Sequence, residues 1–153
     1  MRLERELVSV IMSNYNTPEK YLKAAIESVL KQTYRNFEFI IIDDCSTDNS
    51  LETIKSYKDE RIVILENEEN IGITKSLNRG LEIAKGEYVA RMDADDICFP
   101  TRFKEQIEFL KSNPEVIVCG TRVELIGDWQ GRHSNKFICR EIPEKDFFKI
   151  YLL

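Results

Sequence analysis

Short runs of consecutive apolar residues alternate along the chain with longer stretches whose apolar residues recur at helical spacing. Leu7–Met12, Phe37–Ile42, Ile62–Leu65 and the run from Tyr88 up to Asp93 are rich in β-branched and aromatic residues and predict strands buried on both faces. Val116–Gly120 predicts a fifth strand, with Val123 and Leu125 as its continuation. Between the strands lie helix patterns. Thr17 is placed to cap a helix and Pro18 to open it. Tyr21, Leu22, Ala25, Ile26, Val29 and Leu30 then carry that helix to about Gln32. Ser46, Thr47 and Asp48 are helix-start residues for a short helix reaching about Tyr57. Ile73, Leu77, Leu81 and Ala84 share one helical face, with Gly86 as the stop. Phe103, Ile107 and Leu110 mark another helix, ended by Asn113-Pro114. Gly127 to Gly131 reads as a turn, and Pro143 opens a last helix.

Strand and helix alternating through short links predict an α/β chain, an αβα sandwich around a mainly parallel central sheet. The expectation is one domain over residues 1–153. The closing stretch Phe147–Leu153 is an apolar helical stripe without a cap, which predicts a chain cut from a larger protein.

In a parallel sheet, ligands sit beyond the carboxyl ends of the strands. Three polar clusters fall there: Ser13 to Asn16, Asp43 to Asp48, and Asp93 to Asp96. Asp93, Asp95 and Asp96 crowd three negative charges into four residues, which costs free energy unless a positive partner joins them. A hard divalent ion with oxygen ligands, Mg2+ or Mn2+, suits such a set. A lone Asp-x-Asp would read as a solvated turn. The third carboxylate, the apolar strand before it and the acidic pair Asp43-Asp44 on another strand shift the reading to a metal–phosphate site. Transfer from a nucleoside diphosphate donor wants this arrangement, because the leaving diphosphate gathers charge as its bond breaks. One carboxylate would hold the metal and a second would accept from ribose hydroxyls. Asp43 or Asp44 would accept a base N–H, and Tyr15 would stack on the base.

Composition narrows the partners. Lys and Arg number 22 against 27 Asp and Glu, a net charge of −5, which argues against nucleic acid as the main partner. No apolar run reaches the roughly 18 residues of a membrane helix, and Met1 to Glu6 is too charged for a secretion signal. Cys45, Cys98, Cys119 and Cys139 form no Cys-x-x-Cys pair and read as reduced thiols of a cytoplasmic protein. His133 reads as a surface loop residue. Trp129 reads equally as a cover for an acceptor sugar or as turn packing.

In order along the chain, Val8 to Asn16, Asp43-Asp44-Cys45-Ser46-Thr47-Asp48, Asn70-Ile71-Gly72, Asn78-Arg79-Gly80, Ala84 to Tyr88, and Asp93-Ala94-Asp95-Asp96 resemble the motifs of the inverting family 2 glycosyltransferases with the Rossmann-like GT-A fold. The resemblance runs from about Leu7 to Gly120. It implies a nucleotide-sugar donor, UDP-linked, and a saccharide or glycolipid acceptor in polysaccharide or glycoconjugate synthesis. Work at the cytoplasmic face of the membrane is compatible with that role. By the same resemblance Ser13 and Tyr15 line the base pocket and Asp43 contacts the uracil. Asp93 touches ribose or metal, and Asp95 holds Mg2+ or Mn2+, with Asp96 adjacent.

Two positions depart from the family pattern. Cys45 stands where Gly is usual, so the turn there must carry a side chain. Leu77 stands where many members carry Arg, and Lys75 reads as a solvated helix lysine rather than a substitute. The family's general base is an acidic residue from beyond the donor-binding half. The late acids Glu141, Glu144 and Asp146 read as surface and helix-start residues, so no base is assigned. The alternative reading is therefore a donor-binding module without transfer activity. A haloacid-dehalogenase-type phosphatase carries Asp-x-Asp on its first strand, not its fourth. A dinucleotide dehydrogenase needs a Gly-x-Gly-x-x-Gly after its first strand, and there is none.

Overall fold

The computed structural model describes residues 6–121. Within them the elements run β1 (Val8–Asn14), α1 (Glu19–Leu30), β2 (Phe37–Asp43), α2 (Ser50–Ser56), β3 (Ile62–Glu66), α3 (Ile73–Ile83), β4 (Tyr88–Asp93) and α4 (Arg102–Ser112). The four strands form one all-parallel sheet in the order β3-β2-β1-β4.

Both faces of the central strands are buried, as unbroken apolar runs require. On one face Val10, Met12, Phe39, Ile41 and Met92 pack with Leu22, Ala25, Ile26 and Val29 of α1, Ile54 of α2, and Phe103 and Ile107 of α4. On the other, Ile11, Ile40 and Ile42 pack with Leu77 of α3. The result is three layers, with α1, α2 and α4 on one side and α3 on the other. Fully burying a side chain of this kind stabilises the fold by about 1.5–3 kcal/mol, and Phe39, Ile40, Ile41 and Ile42 are all without exposure.

Several local expectations change in the structure. Pro18, not Thr17, is the residue before α1, and no side chain caps that helix. Helix α2 starts at Ser50, later than the helix-start residues suggested, because Asp48 Oδ1 accepts from Ser50 N–H at 2.9 Å and holds the chain in a turn first. The expected stripe on α3 is only partly buried. Ile73 is 53% exposed, whereas Ser76, Leu77 and Gly80 face the sheet. Gly86 lies past the end of α3, and its missing side chain serves a close crossing. A Cβ there would stand 2.4 Å from Ser9 N, so its backbone passes β1 at short range. Residues 116–120 form no strand. Their β-branched side chains favour extension, but no described strand offers them a ladder, and Ile117 is 53% exposed. Val123, Leu125, the turn at Gly127 to Gly131 and the helix after Pro143 lie outside the described residues.

Candidate functional site

The strand register builds the site. Ser13 on β1 is paired with Ile42 on β2 and with Asp93 on β4. Asn14 is paired with Asp43, and Asp43 with Glu66. The carboxyl ends of all four strands therefore line one edge as Glu66, Asp43, Asn14 and Asp93. The chain winds outward from β1 to β2 and β3, then returns to place β4 on the other side of β1. Strand order reverses between β1 and β4, and a crevice outside such a reversal is where open α/β sheets bind ligands. Ser13 and Asp93 flank that crevice. Tyr15 directly follows β1 in the chain and is 49% exposed.

Asp43 organises the loops above β1 and β2. Its Oδ1 accepts from Asn14 Nδ2 at 2.8 Å and from the Ser46 hydroxyl at 2.6 Å, and its Oδ2 accepts from Ser46 N–H at 3.0 Å. Asn16 ties the two loops further. Its Oδ1 accepts from Thr47 N–H at 2.7 Å, and its own N–H donates to Ser46 Oγ at 3.1 Å. Asn16 and Cys45 both sit at positive φ, 51° and 61°. A carboxylate offers about four acceptor positions, so three bonds leave Asp43 roughly one unfilled, on a side chain that is itself 2% exposed.

Asp44 is bonded to the next loop. It is 2% exposed, as is Asp43. Its Oδ1 accepts from Asn67 Nδ2 at 2.6 Å and Ile71 N–H at 2.9 Å, and its Oδ2 from Gly72 N–H at 2.8 Å. Burial works to raise its pKa, but the N–H donors of Ile71, Asn67 and Gly72 and the Ser76 hydroxyl outweigh burial and hold it below the usual carboxylate value. Asp44 thus clamps the loop between β3 and α3. Asn67 extends the clamp, donating to Ser76 Oγ at 2.8 Å and accepting from Arg79. An open cleft of about 650 Å3 beside Glu66, Asn67 and Arg79 lies beyond β2 from the crevice and holds none of the residues predicted for the site.

The acidic stretch begins on β4 and turns at once. Asp96 N–H donates to Asp93 O at 3.3 Å across the turn; Ala94 is buried, while Asp95 and Asp96 are exposed. The Arg91 guanidinium, two residues back on the same strand, meets Asp93 Oδ1 at 2.7 Å. Burial first, then the charges of Asp93 and Asp95, push the Asp96 carboxyl above its usual value. The expected three-carboxylate metal centre is not assembled: among the described residues no three Asp, Glu, His or Cys side chains are arranged to hold an ion. One reason is plain, since Arg91 already engages an oxygen of Asp93. The donor set still suits Mg2+ or Mn2+, which commonly take one or two carboxylates and complete their shell with phosphate oxygens and water. The crowded, all-oxygen turn meets that requirement.

Sequence reasoning placed Asn14 at this edge within the cluster Ser13 to Asn16, but did not single out Asn67, Ser76 or Arg91. A signal existed for Ser76, which sits beside Leu77 on a helix whose buried side would otherwise be apolar. No local signal existed for the others, since their partners lie elsewhere in the chain or were expected to serve ligands.

The family model described as Glycosyl transferase family 2 matches residues 9–152. An uncharacterized glycosyltransferase of Methanocaldococcus jannaschii is 40% identical over 151 residues, 96% of this chain and 50% of that protein. The Escherichia coli protein named UDP-Glc:alpha-D-GlcNAc-diphosphoundecaprenol beta-1,3-glucosyltransferase WfaP is 42% identical over 107 residues, 70% of this chain and 42% of its own. Among solved structures, S. aureus TarS 1-349 in complex with UDP-GlcNAc superposes with a TM-score of 0.66 at 32% identity, covering 70% of this chain and 32% of that one. The chain spans about half the length, or less, of the curated relatives it matches. Its sheet and layers are those of the GT-A glycosyltransferases. Because the family match runs over nearly the whole chain and the fold agrees with it, this chain belongs to glycosyl transferase family 2.

Proposed function

We propose that the chain binds a UDP-linked sugar across the crevice between β1 and β4 and serves its transfer, with inversion, to a saccharide or lipid-linked acceptor. The observation that carries this is the register that sets Ser13 beside Asp93 at the reversal of strand order. The UDP-GlcNAc bound to TarS and the UDP-Glc and diphosphoundecaprenol in the name of WfaP support the donor and the acceptor class.

In this reading Tyr15 stacks on the base, and Ser13 together with the remaining acceptor position of Asp43 meets its polar edge. Asp93 accepts from the ribose hydroxyls, or contributes to metal binding if Arg91 gives up its oxygen. Asp95, with Asp96 beside it, would hold Mg2+ or Mn2+, and the ion would supply neutralising charge for the departing diphosphate. The Asp43 and Asp44 clamps keep the loops around the base in place before ligand arrives, so their ordering is not charged to binding. The hexosyl specificity of the transfer and any attachment to a membrane surface belong to this proposal as well. No described helix is long and apolar enough to cross a membrane.

Isothermal calorimetry with UDP, with and without Mn2+, tests the reading. Binding should strengthen with Mn2+, and Asp95→Ala should weaken the metal-supported affinity by about tenfold or more, or about 1.4 kcal/mol per tenfold. UDP binding indifferent to both metal and Asp95 would sink it. Turnover of a UDP-sugar then separates a transferase from a module that only binds donor.

A further inference from the structure

We infer that Gln32 is a positioning residue for the acidic turn, setting its exit path from two residues past the end of α1 without touching ligand; this rests on the donor-site reading above. The side chain is fully buried. Its Nε2 donates to Phe99 O at 2.7 Å and to Cys98 Sγ at 3.2 Å, and also reaches Ser28 O at 3.2 Å. Its Oε1 accepts from Phe103 N–H at 3.1 Å.

Two facts give these bonds weight. The chain leaving Asp96 has little hydrophobic anchorage. Ile97 is 53% exposed and Phe99 64% exposed, and only the small Cys98 between them is buried. Polar contacts must therefore hold this segment, and they come from the end of α1. Besides the Gln32 bonds, Cys98 N–H donates to Ser28 Oγ at 3.1 Å and Thr33 N–H to Pro100 O at 2.8 Å. Second, Phe103 N–H is one of the first backbone donors of α4, which lack partners within their own helix. No side chain caps α4 locally, so Gln32 caps it from a distant part of the chain. One amide thus fixes both the start of α4 and the segment that begins two residues after Asp96. Only a side chain with a donor and an acceptor can serve both. Asp95 and Asp96 are left exposed on a turn whose downstream end cannot drift.

The test is calorimetry of UDP on the full 153-residue chain with and without Mn2+, together with a thermal melt. In Gln32→Met the metal-free affinity should stay within about twofold of wild type. The gain in affinity on adding Mn2+ should fall by about tenfold, the low end of what outer-shell partners of a metal site contribute. Ser28→Ala, a smaller change on the same segment, should lose part of that gain. A folded Gln32→Met with the wild-type gain, or one that loses affinity equally with and without Mn2+, overturns the inference. If Gln32→Met does not fold, an undiminished gain in Ser28→Ala overturns it. Wild-type protein with no Mn2+ gain overturns the donor reading itself, and the inference falls with it.

Discussion

Cys45 carries a side chain in the left-handed region, at φ 61°, where the Cβ crowds the backbone. Asn16, at φ 51°, is better suited to that region, because short polar side chains tolerate it. What holds Cys45 there is its neighbours: Asp43 takes both the N–H and the hydroxyl of Ser46, and the Cys45 thiol lies 3.6 Å from Glu68 O. Replacement by a β-branched residue should be poorly tolerated. Cys45→Val should lower stability by about 1–2 kcal/mol, while Cys45→Gly should stay within about 1 kcal/mol of wild type as relieved strain offsets added freedom of the unfolded chain. Urea midpoints of the three proteins check this, and equal midpoints for valine and cysteine would show that the position carries no strain.

Elements meet at two glycines, and the two contacts differ in kind. Gly80 lets α3 settle onto the sheet: a Cβ there would stand 2.6 Å from Ile11 Cγ2, a branch methyl, and 2.9 Å from Ile42 Cδ1, a side-chain end. Gly86 lets the chain entering β4 cross β1, where a Cβ would meet Ser9 N at 2.4 Å and Leu7 O at 2.8 Å, both backbone. The crossing is tied by polar bonds, Gly86 N–H to Ser9 Oγ at 2.8 Å and Lys85 N–H to Glu38 Oε1 at 2.7 Å. Side chains can shift at some cost; a paired strand cannot. Gly80→Ala should therefore cost about 1 kcal/mol net, since the gain in helix propensity offsets part of the crowding. Gly86→Ala should cost about 2–3 kcal/mol, the upper range for an overpacked site. Denaturation curves for the pair decide it: if Gly86→Ala is the milder change, the close crossing is not what that glycine serves.

At the scale of the whole molecule, acid stability depends on carboxylates held ionised by the fold. Arg61 holds Asp59 at about 2, below its ordinary 3.8, through a 2.7 Å ion pair. Asp44 is held down as well, by the loop donors already described. A carboxylate whose pKa falls on folding adds stability in full above its unfolded value and loses it as pH drops through the folded one. Both contributions should be complete at neutral pH; that of Asp59 fades as pH falls from about 4 toward about 2, and that of Asp44 as pH drops below the ordinary carboxylate value. Asp59→Asn should flatten that part of the stability–pH curve and lower neutral-pH stability by up to about 2 kcal/mol. Urea midpoints measured across the acid range would contradict this if wild type and variant kept a constant separation down to about pH 2.

Periodicity along the chain determined the alternation of strands and helices, the layered α/β class and the carboxyl-end placement of the three polar clusters. These follow from local rules, because side chains repeat about every two residues on a strand and about every 3.6 on a helix, and each rule needs only near neighbours. Strand order obeys no such rule. Only the tertiary structure set β4 against β1, and so brought Asp93 beside Ser13 at the crevice. It also denied residues 116–120 a partner strand, buried Gly80 in place of Ile73, set Arg91 against Asp93, and turned Asp44 inward as a loop clamp. Gln32 is the clearest case. At the end of an amphipathic helix a glutamine looks like any surface residue, and what buries it is a segment more than sixty residues away. Long-range hydrogen bonds and packing choose among partners that a local pattern leaves equivalent, and in this protein they decide which carboxylates brace the loops and which stay exposed.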